Sequence, residues 1–143
     1  MNRSVFVDTW GWLALLFEAD DWHDLASLHF VQLMNEGAQI VTSNAVVYEM
    51  AENARRRHHH QASVQLLEHL GAAVAANELQ LVFVDETKQC AALEFYRAFS
   101  DQGVSFTDCL SFAIMRELGV ETAFTGDWHF TLPGFNIIPG VRP

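Results

Sequence analysis

The sequence predicts an α/β domain built on a central parallel sheet of four to five strands. Short apolar runs alternate with longer helical segments, and this alternation is typical of βαβ units with right-handed crossovers. The runs at 5–7 and 81–84 are apolar at every position, as expected for parallel strands that are covered on both faces. The length of 143 residues fits a single domain, residues 1–143.

The first half of the chain contains two predicted strands and four predicted helices. The strands are 4–7 and 39–42, and each is followed by a polar residue. Gly37 ends the second helix, because Gly often terminates helices, and Ser43 can cap the third. The predicted helices are 10–18, which contains Gly11, then 22–36, 44–57 and 61–77.

The second half continues the alternation. A strand at 81–84 leads into a helix at 86–99. Ser105 opens a further helix that ends before Gly119, because Ser is a good N-cap and Gly a common end signal. The remaining predicted strands are 121–124 and, as a fifth, 136–138.

The composition is that of an ordered globular protein, since half of the residues are hydrophobic and 18% are charged. The chain shows neither an apolar stretch of membrane-spanning length nor the apolar core of a signal peptide. Cys90 and Cys109 lack Cys-x-x-Cys spacing, which favours a reducing compartment and argues against a zinc site. We therefore expect a cytoplasmic protein without a membrane partner.

Four acidic residues are expected at one edge of the predicted sheet. Asp8 and Asp127 follow apolar strand runs, and Glu49 and Asp108 fall in the first turns of two apolar helices. In open parallel sheets, ligands bind beyond the carboxyl ends of the strands. Clustered carboxylates repel one another unless a cation neutralises them, and oxygen ligands suit Mg²⁺ or Mn²⁺. The acids therefore predict a divalent metal site.

Most of these acids also have a purely structural explanation. Asp8 can be the N-cap of the following helix. The run before Asp85 repeats the letters of the run before Asp8, and Asp85 is interpreted as a cap alone. Asp108 fits a capping box with Ser105, and Gly-Asp is common turn chemistry at Asp127. Residue chemistry by itself leaves caps and a metal site as equal alternatives.

Helical phase ranks the acids of the third helix. Glu49 lies closer than Glu52 to the apolar side defined by Val46 and Met50, whereas Glu52 points away. We therefore choose Glu49 for the site. His129 is interpreted as facing solvent or forming a local hydrogen bond rather than as catalytic.

The segments around the four acids resemble those of PIN domains, the nuclease fold found in VapC-type toxins. The resemblance implies a three-layer α/β/α fold and a Mg²⁺- or Mn²⁺-dependent endoribonuclease that cleaves RNA as the toxin of a type II toxin–antitoxin pair. It also implies an RNA substrate, a small antitoxin protein and a homodimer as partners. The four motifs occur in family order at 5–9, 43–50, 105–113 and 123–130.

The resemblance also assigns roles by motif position. The implied metal-site and catalytic acids are Asp8, Glu49, Asp108 and Asp127, with Thr9 and Thr125 as supporting hydroxyls. Asp8 and Asp108 are expected to be the firmest ligands, and Glu49 or Asp127 would orient the attacking water or complete a second metal site.

The charge balance opposes RNA binding by the overall electrostatic field. Eight Lys and Arg residues face eighteen Asp and Glu residues, which gives a net charge of −10. The best basic patch is Arg55, Arg56 and Arg57, which is either a solvated helix end or a contact to RNA phosphates. Trp10, Trp12, Phe17 and Trp22 are candidates for core packing or for a partner interface.

Other functions fit less well or stay open. A receiver domain would need a lysine late in the chain, but the single lysine is Lys88. A haloacid-dehalogenase-like phosphatase would need an Asp-x-Asp motif after the first strand, but the residues there are Asp8, Thr9 and Trp10. Two alternatives stay open: a catalytically silent PIN-like interaction module, and a PIN nuclease of RNA processing without an antitoxin.

Overall fold

Five parallel strands form the central sheet of the computed structural model, which describes residues 3–140. Their order across the sheet is β3-β2-β1-β4-β5, and every neighbouring pair is parallel. The prediction of a parallel sheet is confirmed, with five strands. The strands are β1 Ser4–Val7, β2 Gln39–Ser43, β3 Gln80–Val82, β4 Thr122–Thr125 and β5 Asn136–Pro139.

Six α-helices connect these strands, close to the predicted positions. The first helix ends at Leu16, two residues earlier than predicted, and a 3₁₀ turn at Trp128–Thr131 was not predicted. The helices are α1 Thr9–Leu16, α2 His23–Asn35, α3 Asn44–Arg57, α4 His60–Ala75, α5 Glu86–Ala98 and α6 Phe106–Leu118.

The strand order reverses between β1 and β4. From β1 the chain adds β2 and β3 on one side, then crosses to add β4 and β5 on the other. Right-handed crossovers in two opposite directions place helices on both faces of the sheet, which gives the predicted three-layer α/β/α arrangement. The carboxyl ends of β1 and β4 lie side by side, with Val7 opposite Phe124. Such a switch point is where open parallel sheets bind ligands.

Gly11 allows α1 to lie close to the sheet. A Cβ atom at this position would come within 2.4 Å of the Phe124 carbonyl oxygen and 2.8 Å of a Val7 methyl group. No side chain fits in that space, so the helix that begins beside Asp8 can contact both β1 and β4 only because residue 11 is glycine.

The core is rich in phenylalanine. Phe112 of α6 is fully buried and packs edge-on against Phe130, with ring centroids 5.0 Å apart. On α2, Phe30 packs edge-on against Phe124 of β4. Seven consecutive residues of α6, Cys109–Met115, are buried, so this helix is fixed rigidly behind Asp108. No helix between residues 3 and 140 has the length and apolar character needed to cross a membrane.

Candidate metal centre and active site

Asp8 follows the central strand β1 and is buried, with 5% of its surface exposed. One carboxylate oxygen accepts a hydrogen bond from the Gly11 backbone N–H at 2.8 Å, which caps α1 as predicted. The other accepts from the Thr125 hydroxyl at 2.6 Å, across the boundary between β1 and β4. Asp8 is thus both a helix cap and a fixed carboxylate at the switch point.

Burial raises the pKa of Asp8 to about 8, although the hydrogen bonds from Thr125 and Gly11 act in the opposite direction. The negative charges of Asp108 and Asp127 raise it further. An aspartate that resists ionisation in this way favours a nearby cation, because a positive charge would offset both the burial and the repulsion.

Asp108 lies in the first turn of α6 and forms the predicted capping box. Its backbone N–H donates to the Ser105 hydroxyl at 3.0 Å, and its carboxylate accepts from the Ser105 backbone N–H at 3.3 Å. Burial, followed by repulsion from Asp127 and Glu49, raises the pKa of Asp108 to about 6. These acids are therefore close enough to interact through their charges.

Asp127 begins the 3₁₀ turn after β4 and is held by two neighbours. Its backbone N–H donates to the Thr125 hydroxyl at 2.9 Å. One oxygen of its carboxylate accepts from the His129 backbone N–H at 3.0 Å and lies 2.7 Å from Nδ1 of the same histidine. Thr125 therefore contacts both Asp8 and Asp127.

Glu49 lies one turn into α3 and is positioned by Thr9. The Thr9 hydroxyl donates to a Glu49 carboxylate oxygen at 2.6 Å, which joins the start of α1 to α3. Glu49 is half-buried, whereas Glu52 is exposed. The prediction from helical phase is confirmed as to which glutamate faces the protein.

Asp85 can be compared directly with Asp8, because the two residues follow apolar runs of similar sequence. It caps α5 by accepting from the Lys88 backbone N–H at 2.9 Å, but its side chain is 60% exposed. This hydrogen bond lowers the pKa of Asp85, the opposite of the shift at Asp8. The same local pattern gives an ordinary cap after the edge strand β3 and a buried carboxylate after the central strand β1.

The ligand atoms nearest to one another belong to Asp108, Asp127 and His129, which all lie within 4.8 Å of each other. Asp8 interacts with both of these aspartates through its charge, and Glu49 interacts with Asp108. Both ring nitrogens of His129 are engaged, by Asp127 and by the Gln102 carbonyl oxygen, so the available donors are carboxylate oxygens, which suit Mg²⁺ and Mn²⁺. The donor set fits a divalent cation.

His129 has a closer relation to the site than the sequence predicted. The expected local hydrogen bond is present, to Asp127, but Nε2 also lies 2.9 Å from the Gln102 carbonyl oxygen. The imidazole therefore ties Asp127 to the loop between α5 and α6. The spacing of two residues after Asp127 was a signal for the first contact, but nothing in the sequence indicated Gln102 as the second.

The basic run at the end of α3 is exposed. The Arg57 guanidinium lies 3.8 Å from the Asp20 carboxylate, so one of its three arginines is paired within the protein. Among the predicted aromatic candidates, Trp12 is buried and donates to the Thr42 hydroxyl at 3.1 Å, Trp10 and Phe17 are partly buried against the core, and Trp22 is exposed.

Comparison with known proteins identifies the family. The PIN domain family model matches residues 5–135. The 23S rRNA-specific endonuclease VapC20 of Mycobacterium tuberculosis, from strains CDC 1551 / Oshkosh and ATCC 25618 / H37Rv, is 31% identical over 134 residues. The match covers 92% of this chain and 95% of the relative.

Solved structures agree. The crystal structure of Mycobacterium tuberculosis VapC20, described as a sarcin–ricin loop cleaving toxin, superposes with a TM-score of 0.78 at 30% identity, over 97% of this chain and 99% of that one. VapBC2 from Rickettsia felis bound to a promoter DNA fragment gives a TM-score of 0.68 at 12% identity, over 94% of this chain and 97% of that one. DNA-bound VapBC from Salmonella typhimurium gives a TM-score of 0.67 at 13% identity, over 96% of this chain and 97% of that one. At these low identities, the last two structures show similarity of fold alone. The chain belongs to the PIN domain family and is similar, over nearly its whole length, to a VapC-type toxin endonuclease.

Proposed function

We propose that this protein is a Mg²⁺- or Mn²⁺-dependent endoribonuclease and the toxin of a type II toxin–antitoxin pair. The observation that carries the proposal is the meeting of Asp8, Asp108 and Asp127 at the switch point between β1 and β4. The membership of the PIN family and the 31% identity to a named endonuclease support the same activity. Because that relative is described as specific for 23S rRNA, we propose ribosomal RNA as the substrate class to test first.

The proposed roles follow from how each carboxylate is held. Asp8 and Asp108 would be the principal metal ligands, because each carboxylate accepts a backbone hydrogen bond, from Gly11 and from Ser105 respectively. Asp127 would be a further ligand, with His129 behind it. A divalent ion held by these carboxylates would polarise the phosphate and lower the pKa of a coordinated water.

Glu49 would orient the attacking water and accept its proton. The Thr9 hydroxyl occupies one Glu49 oxygen at 2.6 Å, which fixes the carboxylate and leaves its other oxygen for the water. A general base must lie within hydrogen-bond reach of the proton it removes. Thr9 therefore contributes by positioning Glu49 rather than by contacting the RNA.

The proposed protein partner is a small basic antitoxin. A net charge of −10 favours a partner of opposite charge, through electrostatic complementarity. An apolar groove of about 290 Å³ lies among α1, α2, β2 and α4, and Met34 at its edge is exposed. We propose that an apolar segment of the antitoxin fills this groove. Co-purification with the product of a small neighbouring reading frame tests this.

We also propose a homodimer, for which light scattering would give twice the mass of one chain.

Cleavage of purified ribosomal RNA tests the activity. We expect wild-type protein to cleave in Mg²⁺ or Mn²⁺ and to stop when EDTA is added. Asp8→Asn and Asp108→Asn should abolish cleavage while the protein still folds, because Asn also caps helices well at position 8 and Ser105 still caps α6 in the second variant. Asp85→Asn is the matched control, since Asp85 is a cap outside the cluster. Full activity in Asp8→Asn or Asp108→Asn would refute the proposed site, and metal-independent cleavage would refute the proposed cofactor.

A further inference from the structure

Trp128 presents an exposed indole directly beside the acidic cluster. It lies between Asp127 and His129 in the 3₁₀ turn, and 52% of its surface is exposed. Its neighbour two residues on, Phe130, is fully buried and anchors the turn in the core. The large Trp128 side chain therefore faces outward, while Phe130 is buried.

One face of this indole is already supported. The Trp128 and His129 rings are in contact, with centroids 4.4 Å apart and planes tilted by 31°. The imidazole beneath it is held at both nitrogens, by Asp127 at 2.7 Å and by the Gln102 carbonyl oxygen at 2.9 Å. The indole therefore rests on a fixed ring, and ordering it on binding costs less entropy than ordering a free side chain.

A second aromatic pair lies near Asp108. Phe106 opens α6 two residues before Asp108 and packs edge-on against Tyr96 of α5, with centroids 5.5 Å apart. Phe106 and Tyr96 are exposed. Because ligand atoms of Asp108 and Asp127 lie within 4.8 Å of each other, aromatic surfaces adjoin the site next to both carboxylates.

Few basic side chains are available to bind the phosphates of an RNA substrate. Only eight Lys and Arg residues are present against a net charge of −10, and Arg57 and Lys88 are paired with carboxylates. Stacking of bases on aromatic rings does not depend on positive charge and accepts any base, because every base has a π-face. A base inside a duplex has both faces covered, so only an unpaired base can use such a surface.

We propose that the Trp128 indole stacks an unpaired nucleobase beside the scissile phosphate. This inference rests on the proposed RNA-cleaving function of the same site. Trp128 is a substrate-binding residue in this scheme, and the exposed Phe106–Tyr96 pair offers a second aromatic surface.

The test compares Trp128→Ala and Trp128→Phe with the wild-type protein. The binding probe is a fluorescein-labelled RNA taken from a mapped ribosomal RNA cleavage site, used alone and annealed to its complement. Binding is measured by anisotropy in an Asp8→Asn background, where the RNA stays intact. Leu28→Ala is the control, because Leu28 is 67% exposed on α2 and has no place in the proposed surface.

We expect Trp128→Ala to weaken binding of the single-stranded probe roughly 5- to 100-fold, the range that stacking of one base on an aromatic ring implies. Trp128→Phe should keep most of the affinity. The salt dependence should not change, because the indole neutralises no phosphate. The duplex probe should bind weakly and equally to all variants. In the cleavage assay, Trp128→Ala should raise KM more than it lowers kcat.

Several outcomes would overturn the inference. Equal binding of single-stranded RNA by Trp128→Ala and wild type would do so, as would an equal loss on the duplex. A change of oligomeric state in Trp128→Ala with unchanged RNA binding would assign the indole to a protein interface instead. If the wild-type protein cleaves no RNA, the proposed function fails. The anisotropy measurement, made with the sarcin–ricin loop RNA that the similar toxin cleaves, then still tests stacking separately.

Discussion

The hydroxyl of Thr125 donates a hydrogen bond of 2.6 Å to the Asp8 carboxylate, although 117 residues separate the two in sequence. The same hydroxyl accepts from the Asp127 backbone N–H at 2.9 Å. One buried threonine thus sets the positions of two acids that follow neighbouring strands.

Replacing Thr125 should therefore disturb the site more than the fold. Thr125→Val keeps the shape of the side chain but removes the hydroxyl, and groups that orient ligands typically affect metal affinity or activity about 10- to 100-fold. We expect a loss of that size in kcat/KM on RNA, together with a weaker response to added Mn²⁺. Thr125→Ser restores the hydroxyl and is the control. Equal activity of the valine and serine variants would contradict the assigned role.

The stability of the metal-free protein should fall as the pH rises. An aspartate in an unfolded chain has a pKa of about 3.9, whereas Asp8 in the folded protein has a pKa of about 8. Between these values the folded state binds more protons than the unfolded state, so the free energy of unfolding decreases with pH. Thermal unfolding in EDTA at a series of pH values measures this.

Asp8→Asn should remove most of that pH dependence. The variant should melt at a higher temperature than wild-type protein at pH 8 in EDTA, because the amide has no charge to bury. Added Mg²⁺ should stabilise wild-type protein and not the variant. A wild-type Tm that rises with pH across this range would contradict the raised pKa.

Glu49 and Glu52 provide a matched pair on one helix. We expect Glu49→Gln to lower the cleavage rate by about 100-fold or more, as for the loss of a general base. Glu52→Gln should leave the rate unchanged, since Glu52 faces solvent. The cleavage rate of Thr9→Ala should lie between those of the two glutamine variants, because this change removes the 2.6 Å hydrogen bond to Glu49 but leaves the Glu49 carboxylate. Similar rates in the two glutamine variants would exclude the role proposed for Glu49.

Two glycines should respond oppositely to alanine. Gly11→Ala places a Cβ 2.4 Å from the Phe124 carbonyl oxygen, and overpacking of this kind costs about 1–3 kcal/mol. Gly71, inside α4, has nothing within 4 Å of the added atom. Gly71→Ala should therefore stabilise the protein by about 0.5–1 kcal/mol through helix propensity. Urea unfolding measures both, and equal effects would show that the close approach of α1 imposes no constraint.

The arginine run makes a prediction about salt. If Arg55, Arg56 and Arg57 bind RNA phosphates, the triple alanine variant should bind RNA more weakly. The slope of the logarithm of the RNA-binding constant against the logarithm of the salt concentration should also become shallower. The expected change is about 0.7 for each single-strand phosphate that the arginines no longer neutralise. Arg3→Ala is the control, because Arg3 donates to the Thr122 hydroxyl near the amino end of β4. An unchanged affinity and salt slope would show that the run is only a solvated helix end.

Local features of this fold were predictable because local sequence determines them. The caps at Asp8, Ser43, Asp85 and Ser105 were expected, and each accepts a hydrogen bond from the helix it begins. Strand positions followed from apolar runs in the same way. The choice of Glu49 over Glu52 needed only the period of one helix.

The site needed information that lies outside any local segment. The Asp8 and Asp85 segments have similar sequences, and their pKa values shift in opposite directions because β1 is central and β3 is at the edge. Spacing along the chain does not state that β1 pairs with β4, so it could not place Thr125 on Asp8. The contact between His129 and Gln102 joins two loops and was missed for the same reason.

The pairing of β1 with β4 also fixes when the site can form during synthesis. A nascent chain that has left the ribosome only as far as α6 carries Asp8, Glu49 and Asp108 but lacks the strand that brings Thr125 and Asp127 beside them. Contacts between distant segments form only after both have emerged. A growing chain therefore gains its complete acid cluster only after β4 and the turn that carries Asp127 have left the ribosome.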